Sequence, residues 1–308
     1  MLDLIVNKLL RPFGYKLEKF GGGINAKGLF GDKKFNVGNY IITSPSSHSL
    51  SKNLNQYKFY SRNLPRLIEE ISKYYNDLKI IDVGANIGDS AALINSINIK
   101  PNKIYCFEGD DEFTKYFYRN TERMDNIVLF KSFLGDSDSC ENFNVVKDNG
   151  TLRINSDNKG SNITIDTLDN ISEANKELYD IKFLKTDTDG YDFKILRGAK
   201  KLIEKAKPIL FFEYDREFLN LNSDDGFSTF EMLKEIGYKN AIIYDNYGRL
   251  LVSFDINNEL LLKQLDLYIH DKKGAFPYYD ICLFNEVDNS IFEKVIQSEM
   301  KFYKEQLS

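Results

Sequence analysis

Carboxylates placed where apolar strands end are the residues of this sequence with the most chemistry in reach. Asp82 stands in Lys79-Ile80-Ile81-Asp82-Val83, and Gly84-Ala85-Asn86-Ile87-Gly88-Asp89 follows. Glu108 ends Ile104-Tyr105-Cys106-Phe107-Glu108, and Asp136 follows Leu134-Gly135. Asp187 and Asp189 follow Leu184-Lys185-Thr186, while Glu213 and Asp215 close the run from Pro208. An open α/β sheet binds nucleotide-like ligands just beyond the carboxyl ends of its strands, so this placement points to one site.

The first turn says what kind of ligand. Its spacing is G-x-x-x-G, with Gly84 and Gly88, not the G-x-G-x-x-G that brings backbone amides against a pyrophosphate. A nucleoside without phosphates suits it better. S-adenosylmethionine is such a ligand, with an ammonium and a carboxylate at one end and a cationic sulfur. Asp82 suits the ammonium, and Gly84, Ala85, Asn86 and Gly88 form a turn that lets the backbone approach. Glu108 lies at the distance onward that a ribose-binding carboxylate requires, and it has two oxygens to accept both hydroxyls. Leu134 and Asp136 fall where the adenine edge is expected.

The later acids suggest the reaction site. Alternation along a strand puts Lys185, Asp187 and Asp189 on one side, and Phe211, Glu213 and Asp215 on one side of the next strand. If these strands are neighbours, four carboxylates converge. Three uses stay open: an acceptor's proton taken by a general base, a hard cation such as Mg²⁺, or ion pairs with Lys185, Lys194 and Arg197 at a solvated rim. The base role is placed first, and a metal site is not favoured. Of two histidines, His48 lies on an irregular stretch where a lid would be and suits proton removal at neutral pH. His270 reads as a surface or helix-capping residue.

Short apolar strands alternate with amphipathic helices, which means βαβ units and a doubly wound, mainly parallel sheet. Strands are expected at Lys79–Val83, Lys103–Glu108, Ile127–Leu134, Ile181–Thr186 and Pro208–Glu213. Helices are expected at Asp89–Ser96, Asp111–Arg123, Tyr191–Lys205 and Ser228–Ile236. A helical period runs from Tyr57 to Tyr75, and a short strand is expected at Asn39–Thr43. Asn240–Tyr244 and Arg249–Phe254 flank a turn and read as a hairpin, followed by a strand at Tyr279–Phe284 and a helix at Ser290–Gln306. Residues 1–56 are expected to form an N-terminal helical and loop extension with a lid, and residues 57–308 the ligand-binding domain.

With 308 residues, 42% hydrophobic and 28% charged, the chain has the composition of a globular protein. A net charge of -5 argues against a nucleic-acid partner. The three cysteines lie far apart, which suggests neither a zinc site nor a disulfide framework and fits a reducing, cytoplasmic setting. No apolar run is long enough to span a bilayer. Residues 1–20 are amphipathic, with Leu2, Ile5, Val6, Leu9 and Leu10 at helical spacing. Such a helix can lie on the inner face of a membrane or dock on protein, its own domain or a second copy.

As a set, Ile81–Gly88, the acid in Phe107-Glu108-Gly109-Asp110, Thr167-Leu168-Asp169, Lys185-Thr186-Asp187-Thr188-Asp189-Gly190 and Leu196-Arg197-Gly198-Ala199 resemble the FkbM methyltransferases. Gly109 and Asp189 depart from the proline and glutamate usual there. The resemblance implies a Rossmann-like class I methyltransferase that moves a methyl group from S-adenosylmethionine to a hydroxyl. The acceptor it implies is commonly a sugar of a polysaccharide, glycolipid or natural product. Family members often carry a histidine followed two residues later by leucine, as His48 and Leu50 are here. The expected arrangement has His48 taking the proton and Asp187 orienting the hydroxyl. The competing readings are an NAD-dependent oxidoreductase, which the missing G-x-G-x-x-G disfavours, and a nucleoside-binding module without catalysis.

Overall fold

The computed structural model describes residues 31–148, 150–156, 161–224 and 226–307. The expected N-terminal amphipathic helix lies outside them. The compact unit begins at Asp32, earlier than the expected boundary after residue 56.

Elements in chain order are β1 Lys33–Val37, β2 Tyr40–Ser44, α1 Leu50–Gln56, α2 Asn63–Ile71, β3 Lys79–Val83, α3 Asp89–Ile94, β4 Lys103–Phe107, α4 Asp111–Thr121, β5 Ile127–Phe130 and β6 Phe133–Leu134. Then come β7 Ser139–Asp148, β8 Thr151–Ser156, β9 Ser161–Asp166, α5 Leu168–Ala174, β10 Phe183–Thr186, α6 Asp192–Arg197, α7 Lys200–Ala206, β11 Ile209–Tyr214, α8 Arg216–Leu221 and α9 Phe227–Glu235. The chain closes with β12 Tyr238–Asp245, β13 Leu250–Asp255, α10 Glu259–Ile269, β14 Tyr279–Asn285 and α11 Asn289–Leu307.

Eight strands form the main sheet in the order β13-β12-β14-β11-β10-β3-β4-β5. The strands from β11 to β5 run parallel, and β14 is inserted antiparallel between β11 and β12. The order reverses between β3 and β10, which opens a crevice at the carboxyl ends of both. Side-chain alternation feeds two cores. Ile80, Ile104, Phe211 and Cys282 pack on one face with Leu64, Leu67 and Ile68 of α2. Ile81, Leu184, Leu210 and Phe212 pack on the other with Phe193, Leu202 and Phe230 of α6, α7 and α9. Burial on both faces is why these strands are continuously apolar.

The β1–β2 hairpin belongs to this body. Val37 and Ile42 are fully buried against Ile87, Ala92 and Phe113. Asn120 of α4 accepts from Thr43 N–H at 2.8 Å and donates to the carbonyls of Thr43 and Ile87, which ties the hairpin to the turn after β3.

Three expectations change. The strand expected over Ile127–Leu134 is two strands: β5 joins the main sheet, whereas β6 pairs with β9 in a separate four-stranded sheet, order β6-β9-β7-β8. That small sheet went unread because residues 139–166 are rich in Asn, Asp, Ser and Lys and lack an apolar run. The helix expected over Tyr191–Lys205 breaks into α6 and α7 at Gly198-Ala199. A Cβ on Gly198 would sit 2.0 Å from the Gly135 carbonyl oxygen, so close backbone passage fixes the break. Lastly, the helix expected over Tyr57–Tyr75 is confined to α2, and α1 precedes it.

Candidate active site

The crevice at the switch point holds a cavity of about 560 Å³, part of it open to solvent. Its floor is the turn after β3. The N–H groups of Gly84 and Ala85 both donate to the Phe107 carbonyl at 3.0 Å, which fastens the turn to the end of β4. Gly84 has φ +74°, and a Cβ there would lie 2.0 Å from the Asp187 carbonyl oxygen. Only glycine allows the loops after β3 and β10 to pass this closely.

Glu108 is the best-placed ligand group in the cavity. Its Oε2 accepts from Asn86 N–H at 2.9 Å and its Oε1 from Asp110 N–H at 2.8 Å. A carboxylate has about four acceptor positions, so the group can accept a further hydrogen bond from a ligand hydroxyl. Burial pushes this carboxyl up to about 7, against the backbone N–H groups that favour its charged form. Phe107, Phe133, Leu134 and Ile195 supply an apolar slot beside it, suited to a flat base. A nucleoside with no phosphate fits this donor set, and a helix-end phosphate cradle is not part of the lining.

Several expected cofactor contacts are elsewhere. Asp82 is fully buried, and its two oxygens are taken by Ser90 Oγ at 2.5 Å and Lys185 Nζ at 2.9 Å. It is not among the residues that line the cavity. Its strand position points it inward under the turn. Ala85 is likewise buried, and a Cβ on Gly88 would meet Thr121 and Phe117, so both shape the turn from behind. Asp136 pairs with Arg197 at 3.1 Å in a second, polar cavity that also includes Lys194 and Asn220, and it does not line the first. Gly84, Asn86, Glu108 and Leu134 do line the cavity.

On the side of β10 and β11 the acids converge, with one exception. Asp187 and Asp189 line the cavity, and Asp187 Oδ2 lies 3.5 Å from Lys185 Nζ. Asp189 has φ +50° in a turn organised by Asp192, whose Oδ2 accepts from Thr188 Oγ1 at 3.2 Å and from two backbone N–H groups. Glu213 stands behind them with Oε1 closed off and without a hydrogen-bond partner. Burial, then Asp187 and Asp189, push its carboxyl well above the usual range. Burial would lower Lys185, but Asp82 and Asp187 hold it above an ordinary lysine. Asp215 is not part of the group: it caps α8 and pairs with Lys272 at 2.8 Å.

Sequence reasoning did not find the further groups near these acids. Asp280 of β14 accepts from Asn63 Nδ2 at 3.0 Å and is pushed up to about 7 by burial and by Asp187. Tyr60 and Tyr278 are raised by burial and by the same acids, so both phenols border the acid group. Asp280 and Tyr278 enter only because β14 is inserted beside β11, which no local signal announces.

His48, the expected proton acceptor, is held by two hydrogen bonds. Its Nδ1 accepts from Leu50 N–H at 3.2 Å, and its Nε2 lies 3.3 Å from Asn86 Oδ1. Burial lowers its pKa, only partly offset by Asn86. Both ring nitrogens are engaged.

Among the described residues no three His, Cys, Asp or Glu side chains are arranged to hold a metal ion. No helix among them is long and apolar enough to cross a membrane.

The sheet order β12-β14-β11-β10-β3-β4-β5 with β14 antiparallel, extended by β13, and a cavity at its switch point give the Rossmann-like fold of class I methyltransferases. The model for the FkbM methyltransferase domain matches residues 82–240. The chain belongs to this family. The methyltransferase FkbM from Methylobacillus flagellatus KT is 21% identical with a TM-score of 0.34, over 51% of this chain and 37% of that one. The chain thus spans little more than a third of that protein's length. The N-methyltransferase NodS from Bradyrhizobium japonicum WM9 is 8% identical, TM-score 0.41, over 75% and 98%. M. jannaschii TYW2, solved in complex with AdoMet, is 9% identical, TM-score 0.38, over 82% and 86%. No curated protein matches the chain.

Proposed function

We propose that the chain methylates a hydroxyl group, in a sugar of a surface polysaccharide, a glycolipid or a precursor of either, reached from the cytoplasm. One observation carries this reading. Carboxylates stand beside the donor cavity where an acceptor must lie, and a sugar hydroxyl needs a proton acceptor and oxygen partners that a stronger nucleophile does not.

S-adenosylmethionine, when bound, supplies a methyl group on a cationic sulfur that leaves readily as a thioether. Glu108 and the turn at Gly84–Asn86 would hold its nucleoside. The remaining work is positioning and proton removal. Asp187 is solvent-exposed at the cavity rim and takes the hydroxyl proton in this reading. Lys185 holds Asp187 from below, while Asp82 holds Lys185. Glu213, kept toward its neutral form, can donate a hydrogen bond to a second sugar oxygen. Tyr60, Tyr278 and Asp280 lie near the same acids and offer further partners.

The test is methyl transfer by the purified chain from label-bearing S-adenosylmethionine to a panel of glycosides, nucleotide sugars and matched amines. A methyl ether on a sugar carbon, seen as an O–CH₃ resonance, is expected. Transfer only to nitrogen or sulfur acceptors would overturn the hydroxyl reading.

A further inference from the structure

We propose that His48 is a positioning residue that locks the donor-binding turn in its binding shape, and that it takes no proton from the acceptor. The hydrogen-bond chain through it has one consistent assignment. A backbone N–H can only donate, so Leu50 N–H fixes His48 Nδ1 as an unprotonated acceptor. A neutral imidazole then carries its proton on Nε2, which donates to Asn86 Oδ1. The other end of that amide, Nδ2, donates to the Gly150 carbonyl at 2.8 Å, and a carbonyl can only accept. The chain therefore runs from an obligate donor to an obligate acceptor without ambiguity.

Four segments meet at this point. His48 comes from the stretch after β2, Asn86 from the donor turn, Gly150 from the β7–β8 connection, and Phe113 from α4, with its ring edge-on to the imidazole at 6.3 Å. Asn86 and Phe113 both line the donor cavity. Asn86 has φ +47°, a left-handed conformation that non-glycine residues rarely hold and that asparagine tolerates best. Its two side-chain bonds hold that conformation and keep its N–H aimed at Glu108. Gly150 is fitted just as closely: φ is +99°, and a Cβ there would lie 2.6 Å from the His48 ring.

A base must receive a proton at a free lone pair. The lone pair of His48 faces Leu50 N–H, so protonation would set two N–H groups against each other. Lys33 of β1 disfavours the charged ring as well. The residue is built to stay neutral.

Two measurements test this, and neither needs the acceptor. In a His270→Gln background His48 is the single histidine, and its imidazole ¹⁵N signals report the tautomer directly. The expected result is the neutral Nε2–H form, persisting below the pH at which an ordinary histidine titrates. A Nδ1–H tautomer, or titration near 6.5 as for a free histidine, would overturn the proposal. Calorimetry with S-adenosylhomocysteine gives the second readout. His48→Ala is expected to weaken binding about tenfold, the scale of one lost hydrogen bond. His48→Gln, whose amide can still donate to Asn86, should recover part of it. Gly150→Ala perturbs the lock from the other side and should weaken binding while His48 is intact. Circular dichroism shows which variants are folded. Wild-type affinity in folded His48→Ala and Gly150→Ala proteins would also overturn the proposal.

Discussion

Replacing Glu108 by glutamine tests the donor site most directly, because the shape is kept and only charge and one acceptor are lost. In the wild-type chain both carboxylate oxygens accept backbone N–H groups, from Asn86 and Asp110. An amide has one acceptor oxygen, so its NH₂ must face one of those two donors. One buried N–H then loses its partner, which costs about 1–3 kcal/mol. The buried charge, whose desolvation raises the carboxyl to about 7, is removed as well, so above pH 7 the two effects oppose each other and the melting temperature should change little. The ribose also loses a charged acceptor, worth about 1.5–3 kcal/mol, so affinity should drop about 10- to 150-fold. Glu108→Ala should lose a similar amount. Calorimetry with S-adenosylhomocysteine measures this, beside a thermal melt of the free protein. The pH dependence is a second handle. Since burial raises the donor-free carboxyl to about 7, and the ribose favours the ionised form, wild-type affinity should strengthen as pH rises through 7. In the glutamine variant it should not. An affinity within twofold of wild type in a folded Glu108→Gln protein would mean the ribose is bound elsewhere.

Asp187→Asn should lower kcat about 10²- to 10⁴-fold with a smaller effect on donor affinity, the scale of lost general-base catalysis; near-normal turnover would remove Asp187 from that role. Activity should survive chelation, and loss that added Mg²⁺ reverses would turn Asp187, Asp189 and Glu213 from proton chemistry to metal binding. Donor-free stability should rise as pH falls from 8 towards 5.5. Asp89 and Asp192 are raised to about 6, and Glu108 and Asp280 to about 7, so the folded chain binds more protons than the unfolded one across that window. His48 works in the opposite direction below the ordinary histidine range, because folding lowers its pKa. A melting temperature that climbs steadily from pH 5.5 to 8 would contradict the burial of these acids.

The sequence by itself determined the parts of this protein that depend on local pattern. Alternating strands and helices, glycine where the backbone must turn left-handed, and an acid at the end of β4 gave the doubly wound sheet, its switch point, and Gly84, Asn86, Glu108 and Leu134 in one cavity. These follow from periodicity and turn chemistry, which act over a few residues. Tertiary structure decided how polar groups are partnered. Asp82 reads as a ligand-facing acid, yet Lys185 and Ser90 from separate elements occupy both its oxygens. Asp215 reads as a member of the acid group, yet it caps α8. Thr167-Leu168-Asp169 reads only as a motif, but Asp169 accepts the N–H groups of Lys201 and Leu202 and so fixes the start of α7. Asp280 and Tyr278 reach the site because β14 inserts between β11 and β12. His48 shows the difference most plainly. Its residue type suits a base, but which nitrogen holds the proton is set by Leu50, Asn86 and Gly150, groups that meet only when the chain has folded.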